Sequence, residues 1–342
     1  MTALVSVVIP AFNRQAYIRQ AVESVLAQTY RNLEVIVVDD GSTDGTREIV
    51  QSLRSTDGRV RYIWQENSER AVARNTGIKN ARGDYIAFLD SDDLWLPRKL
   101  ELQLEVLAAH RSMVMAVSWF EMVDDSGATM QNCETPTVEE TARPDFHCLL
   151  AQANRIGSPC PLVRREVFDK AGMFTLDSTL ICFEDWEMWT RAACFGSVGL
   201  VPKILAQHRI HSGNTEKPVD AKVYLAVASS LVKRAPPSKA PGIRRAVTHG
   251  YWTLLRKSSV ASLMKRLIEI TDGWTALGAS FCWATLRHHP RDLLAMLIGN
   301  SRAHRLKLAL GGLRPAGSLL TNRALIRQDA SKQSKNTPRS RG

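Results

Sequence analysis

The chain has 342 residues, 44% of them hydrophobic and 23% charged, with a net charge of +11. That composition excludes a disordered chain and a small disulfide-stapled scaffold, and the length allows one large domain or two smaller ones. The charge is uneven: residues 215–342 carry 23 Lys and Arg against 6 Asp and Glu, whereas residues 1–214 are net acidic by six charges. Such asymmetry argues for two regions with different jobs.

The chain opens with VSVVIP, residues 5–10, a β-branched run closed by proline that predicts a buried strand. Residues 15–28 place Tyr17, Ile18, Ala21, Val22, Val25 and Leu26 at helical spacing. LEVIVVDDGSTDGT predicts a second buried strand running into a polar turn, TREIVQSL a helix and VRYIW a third strand. ARNTGIKNA predicts another helix and DYIAFLD a fourth strand. This alternation argues for a mostly parallel, doubly wound α/β sheet, whose ligands bind at the carboxyl ends of the strands. Polar residues gather there: Asn13 and Arg14, Asp39 and Asp40, and Asp90 to Asp93. Residues 112–205 mix short strands and helices, with MVMAVSWFEMVDDSG as strand and turn and EDWEMWTRAACFG as helix. From about 220 onward the pattern is helical and basic, broken at RAPPSKAPG and RHHPRD, and residues 328–342 read as a disordered polar tail.

The six cysteines (Cys133, Cys148, Cys160, Cys182, Cys194 and Cys282) form no Cys-x-x-Cys pair and no metal-ligand spacing, and read as reduced thiols of a cytosolic protein. The N-terminus lacks a basic n-region and does not read as a signal peptide. No apolar run is long enough for a clear transmembrane helix.

Four motifs carry chemistry. In DSDD, residues 90–93, an extended backbone would put Asp90 and Asp92 on one face, where they can reach one hard divalent cation; the plainer reading is a solvated acidic turn capping a helix. VVDDGSTDGT offers a strand-end carboxylate to a nucleoside, or simply a β-to-α turn. In FEDWEMWTR, Asp185 opens a helix whose dipole favours the ionised form a general base needs; the plainer reading, preferred on these residues alone, is a simple helix cap with Trp186 and Trp189 in the core. In HRIHSGN, His208 and His211 are candidate metal ligands or structural histidines. No Walker-type or G-x-G-x-x-G phosphate loop is present, so the phosphates need another hold, which a bridging metal would supply.

The order and spacing of SVVIPAFNR, VVDDGSTDGT, ARNTGIKNARGDYIAFLDSDDLWLP, GSPCPLVRREVFDKAGMF, EDWEMWTR and HRIHSGN resemble the inverting nucleotide-sugar glycosyltransferases of family 2, with the GT-A fold, over about residues 4–214. The resemblance implies a catalytic domain 1–214, with a nucleotide-binding half 1–110 and an acceptor half 111–214, followed by a basic helical region 215–327. Asp90, Ser91 and Asp92 would be its D-x-D element, with Asp92 holding Mn2+ or Mg2+ against the donor diphosphate and Asp90 facing the donor ribose or sugar. Pro10, Ala11, Asn13, Asp39 and Asp40 would line the nucleoside pocket, and Arg74 would lie near the donor. Asp185 would be the general base, with Glu184 as fallback, and His211 would join the metal shell. His208 stands where many members carry an aromatic residue, which leaves open which histidine ligates.

The expected function is inverting transfer from a nucleotide-diphosphate sugar, expected to be a UDP-sugar, to a hydroxyl of a cell-surface glycan or lipid-linked precursor. The rivals are a sugar nucleotidyltransferase and a sugar-nucleotide-binding protein without turnover. In the basic third, YWTLLRKSSVASLMKRLIEI, FCWATLRHHPRDLLAMLIGN and RLKLALGGLR interleave cationic and apolar residues. They suit either the anionic inner face of the cytoplasmic membrane, for a cytoplasmic and peripheral enzyme, or a helical subdomain with a solvated basic face. They form no recognised nucleic-acid module.

Overall fold

The computed structural model describes residues 3–215 and 217–256. The first seven elements follow the predicted order: β1 (Val5–Ala11), α1 (Ile18–Leu26), β2 (Leu33–Asp39), α2 (Thr46–Thr56), β3 (Val60–Trp64), α3 (Arg70–Asn80) and β4 (Tyr85–Phe88). There follow β5 (Leu94–Trp95), α4 (Lys99–Ala109), β6 (Met113–Val123), β7 (Thr129–Cys133), α5 (Val138–Thr141), α6 (Phe146–Gln152), β8 (Leu162–Arg164), α7 (Arg165–Ala171), α8 (Glu184–Ala192), β9 (Ser197–Arg209), α9 (Ala221–Arg234) and α10 (Ala240–Arg256).

β1 and β2 are buried along their whole length, as β-branched strands covered on both faces must be. Side chains alternate between two cores: Val8 of β1 joins one, and Val5, Val7 and Ile9 join the other. The sheet is parallel through β3-β2-β1-β4. Beyond β4 it turns mixed: β8 runs antiparallel to β4 and β6, β9 parallel to β6, and β5 and β7 add antiparallel at β9 and β6.

Two packing contacts position the site. A Cβ on Gly77 would lie 2.2 Å from a methyl of Val8, so only glycine lets α3 rest this closely on β1. That approach carries Arg74, nearly one turn earlier, to the end of β4. Against the same core, Phe88, Phe174 and Trp189 meet at ring distances of 5.2 to 5.6 Å, which fixes α8 beside β4.

The expected basic helices begin with α9 and α10. Tyr224 of α9 meets the Trp186 ring edge-on at 5.2 Å, and Ser230 donates to Glu187, so α9 packs on α8. Residues 257–327 of the expected helical region, the expected tail 328–342 and Cys282 lie outside the described residues. Among the described residues no helix is long and apolar enough to cross a membrane.

Candidate active site

The loops after β1, β2 and β4 surround a cavity of about 490 Å³, with Pro10, Ala11, Asp40, Ser91, Asp92 and His208 in its wall. After β1, Asn13 adopts φ +53°, a conformation asparagine tolerates, and turns away from the cavity. Its Oδ1 accepts from the Thr43 N–H at 2.9 Å, and its own N–H donates to Ser42 at 3.0 Å. Asn13 therefore ties the β1 loop to the β2 loop rather than lining the cavity.

The adjacent acids after β2 divide the work. Asp39 is fully buried and accepts from Tyr62 Oη at 2.6 Å and the Ser42 N–H at 2.9 Å. Asp40 faces the cavity, with Oδ1 held by Gln65 at 2.7 Å and the Ser68 N–H at 3.0 Å. Asp39, expected beside the nucleoside, shapes the loop instead.

DSDD is neither extended nor a solvated turn. The Asp93 N–H donates to the Asp90 carbonyl at 3.0 Å, closing a turn, and Ser91, Asp92 and Asp93 are buried. Carboxylates this close repel one another, and each is matched to its own partner. Asp90 binds Arg74 at 2.6 Å; Asp92 Oδ2 lies 3.1 Å from His211 Nε2 and 3.3 Å from Arg14 Nε; Asp93 holds His208 Nδ1 at 2.9 Å and accepts the Arg209 N–H at 3.0 Å. Burial, the largest single influence, would raise Asp90's pKa, but the charge and hydrogen bond of Arg74, with the Arg70 and His208 charges, together outweigh it and hold the carboxyl below its usual range. Burial, again the largest single influence, would lower the pKa of His208, but the charge and hydrogen bond of Asp93, with the Asp90 and Asp92 charges, lift it to about 9, so the ring carries a proton at neutral pH.

His211 is fixed on all sides. The Gly213 N–H donates to Nδ1 at 3.1 Å, which leaves Nε2 turned to Asp92, and the Tyr17 ring stacks on it at 4.6 Å. Tyr17 in turn lies under the Arg209 guanidinium at 5.3 Å.

At the start of α8, Glu184 is buried and accepts from Arg74 at 2.5 Å. Arg74 thus binds Asp90 and Glu184, with Ser158 also accepting from it at 3.0 Å. It supports the cavity from behind and does not line it. Asp185 accepts from the Trp186 N–H at 2.7 Å. The expectation that the helix dipole keeps Asp185 readily ionised needs correction. Burial, and then the neighbouring Glu184 charge, push its pKa up to about 7. A helix N-terminus carries only about half an elementary charge, too little to offset both.

Asp92 and His211 offer one oxygen and one nitrogen to a cation. That set fits a divalent ion that takes most of its shell from a substrate diphosphate and water. Among the described residues no group of three or more His, Cys, Asp and Glu could hold a metal by itself, and Asp90, expected to share the ion, is engaged by Arg74. Sequence reasoning missed Asp93 as the anchor of His208, and Arg14 and Tyr17 as supports of Asp92 and His211. Asp93 and Arg14 stood beside candidate residues, but nothing local marks Tyr17.

A crevice at the carboxyl ends of parallel strands places the protein among open α/β proteins that hold ligands at this position. A family model described as glycosyl transferase family 2 matches residues 6–172. An uncharacterized glycosyltransferase of Rickettsia typhi is 30% identical over 234 residues, covering 68% of this chain and 72% of that protein. A putative teichuronic acid biosynthesis glycosyltransferase of Bacillus subtilis is 44% identical over 128 residues, covering 37% of this chain and 50% of that one. The chain spans about a third of the length of relatives from Rickettsia felis and Rickettsia bellii, 35% and 31%. Among solved structures, S. aureus TarS 1–349 in complex with UDP-GlcNAc superposes with a TM-score of 0.63 at 19% identity, covering 90% of this chain and 92% of that one. The chain belongs to glycosyl transferase family 2, and its fold is of the GT-A type.

Proposed function

We propose that this protein transfers a sugar, with inversion, from a nucleotide-diphosphate sugar to an acceptor hydroxyl, with residues 1–214 as the catalytic portion. The observation that carries this reading is the bridge made by Arg74. It joins Asp90 at the cavity wall to Glu184, the residue before Asp185, so donor wall and candidate base form one rigid unit.

In this reading Asp40, Pro10 and Ala11 receive the nucleoside, and Asp90 and Ser91 face the ribose or sugar. Arg14 and protonated His208 face the diphosphate. Mn2+ or Mg2+, held by Asp92 and His211, would neutralise the diphosphate and make it a better leaving group. Asp185, with its pKa near neutral, takes the acceptor proton; a base poised at the working pH transfers protons most efficiently. The acceptor oxygen attacks the anomeric carbon from the face opposite the leaving nucleotide, and one displacement inverts the configuration. The UDP-GlcNAc bound by TarS supports a UDP-sugar, and the name of the Bacillus subtilis relative supports an acceptor in cell-surface polysaccharide or lipid-linked glycan. Catalysis on the inner face of the cytoplasmic membrane would suit such an acceptor.

The test is binding of UDP-, GDP- and dTDP-sugars, with Mn2+ and then with chelator, followed by transfer assays that read the anomer by NMR. One nucleotide binding with metal and an inverted product support the reading. A retained anomer, or binding without turnover on any acceptor, refutes it.

A further inference from the structure

A second cavity, of about 270 Å³, opens at the other end of α8, between Ala193–Val198, the α5–α6 segment and Lys239. It shares no lining residue with the first cavity. Its lining begins at Ala193, eight residues after Asp185, so it lies roughly 12 Å along the helix from Asp185, at ~1.5 Å rise per residue.

Its charge pattern is the reverse of the first. Arg143, His147 and Lys239 line it, and no carboxylate does. Arg143 is held at 2.9 Å by Asp145 outside the lining. Lys239 makes no ion pair with any described residue. His147 is 6% exposed and its ring has no hydrogen-bond partner among the described residues. Burial, then the nearby Lys239 charge, lower its pKa, so at neutral pH the ring is neutral and keeps one N–H to donate. The ring is largely covered, but its nitrogens still reach open space and His147 lines the cavity, so its N–H is free to donate to a ligand there.

An oxyanion answers each of these features. It would neutralise Lys239 and accept from the His147 N–H, and the helices α5 and α6 leave no acidic side chain in the wall to repel it. The volume suits a tetrahedral anion with a small substituent and is below the range usual for a nucleotide-sized ligand. Lys239 directly precedes α10, whose first turns carry Arg244 and Arg245.

We propose that this cavity is a phosphate-binding site, built to take a phosphate mono- or diester through Lys239 and His147, separate from the donor cavity. Two sources share that chemistry, an anionic phospholipid headgroup and a soluble phosphate.

The full chain, saturated with UDP so that the donor cavity is filled, is titrated calorimetrically with inorganic phosphate. Sedimentation with phosphatidylcholine vesicles, with and without phosphatidylglycerol, is the second arm. Wild type should bind phosphate at one site; Lys239→Met should weaken it at least tenfold, and His147→Gln about threefold, with UDP affinity unchanged in both. If Lys239→Met also lowers retention on phosphatidylglycerol vesicles at least threefold, the headgroup is the source. If vesicle retention is unchanged while phosphate binding is lost, the site serves a soluble phosphate. If Lys239→Met leaves both phosphate and vesicle binding at wild-type level, the proposal is overturned, and a lowered Tm in that variant would assign Lys239 to supporting the end of α8.

Discussion

Arg74 and Glu184 stand 110 positions apart in the chain and share a hydrogen bond of 2.5 Å in the buried floor of the site. Both are almost fully buried, at 2% and 3% exposure, so the pair lives in a weakly screened setting. Removing one partner leaves the other charge stranded. Arg74→Met should destabilise the fold by roughly 3–5 kcal/mol in urea unfolding. Adding Glu184→Gln should recover part of that loss. Arg74→Lys should not restore wild-type behaviour, because an ammonium cannot span Asp90 and Glu184 as the planar fork does. A double variant no more stable than the single one would show that the pair is not coupled.

Asp185 yields a prediction about pH. Its pKa is raised to about 7, so the protonated form dominates below neutrality and cannot act as a base. Turnover should therefore climb with pH up to about 7 and level off above it. Glu184→Gln removes a neighbouring negative charge and should move this limb to lower pH. Asp185→Asn should cut kcat by about 10²–10⁴-fold with donor affinity within about twofold of wild type. The linked stability has the same origin: folding favours the protonated carboxyl, so Asp185's contribution weakens as pH rises from about 4 to about 7. Asp185→Asn should flatten that part of the Tm–pH curve.

Asp92 meets His211 and Arg14 at one carboxylate oxygen. Asp92→Ala should weaken metal-dependent donor binding by at least about tenfold, which is ~1.4 kcal/mol. His211→Ala should weaken it less, because a second ligand remains. Electron paramagnetic resonance of Mn2+ reads the same sites without turnover. Unchanged Mn2+ and donor affinity in Asp92→Ala would place the diphosphate elsewhere.

Asp39 and Asp40 are neighbours with opposite expected phenotypes. Asp39→Asn should lower Tm and spare donor affinity, since its oxygens hold Tyr62 and Ser42. Asp40→Asn should weaken donor binding with little change in Tm. Equal effects of the two substitutions on donor affinity would contradict the division seen here.

Lys99 is fully buried, donates to Gln103 at 2.7 Å and sits 4.2 Å over the Trp95 ring. Burial pushes its pKa down to about 7, against about 10.4 in an unfolded chain. Between those values the unfolded state holds more protons, so stability rises with pH. Lys99→Met should flatten the Tm curve from pH 7 to 10. A slope unchanged by that substitution would mean that another group supplies it.

Legibility followed the range of the physics involved. β1, β2 and β3 could be read because a strand buried on both faces must be a short β-branched run, a purely local signal. α4 and β9 were not recognised. β9 draws its length from pairing with β6, and its polar residues Lys203, Gln207 and His208 break the apolar pattern. In the site, DSDD was recognisable as a cluster but not as a turn with three separate cationic or N–H partners.

By itself the sequence determined the order of strands and helices from β1 to β4 and the acids at the ends of β2 and β4, because propensity, alternation and turn chemistry act over a few residues. Only the tertiary structure decided that Asp93 would hold His208, that Asp39 would be withdrawn from the cavity, and that Arg74 would reach Glu184. Those partnerships depend on sheet order and on how closely α3 rests against β1. The pKa of Asp185 depends on desolvation, which the whole packed environment sets and no local stretch of sequence encodes.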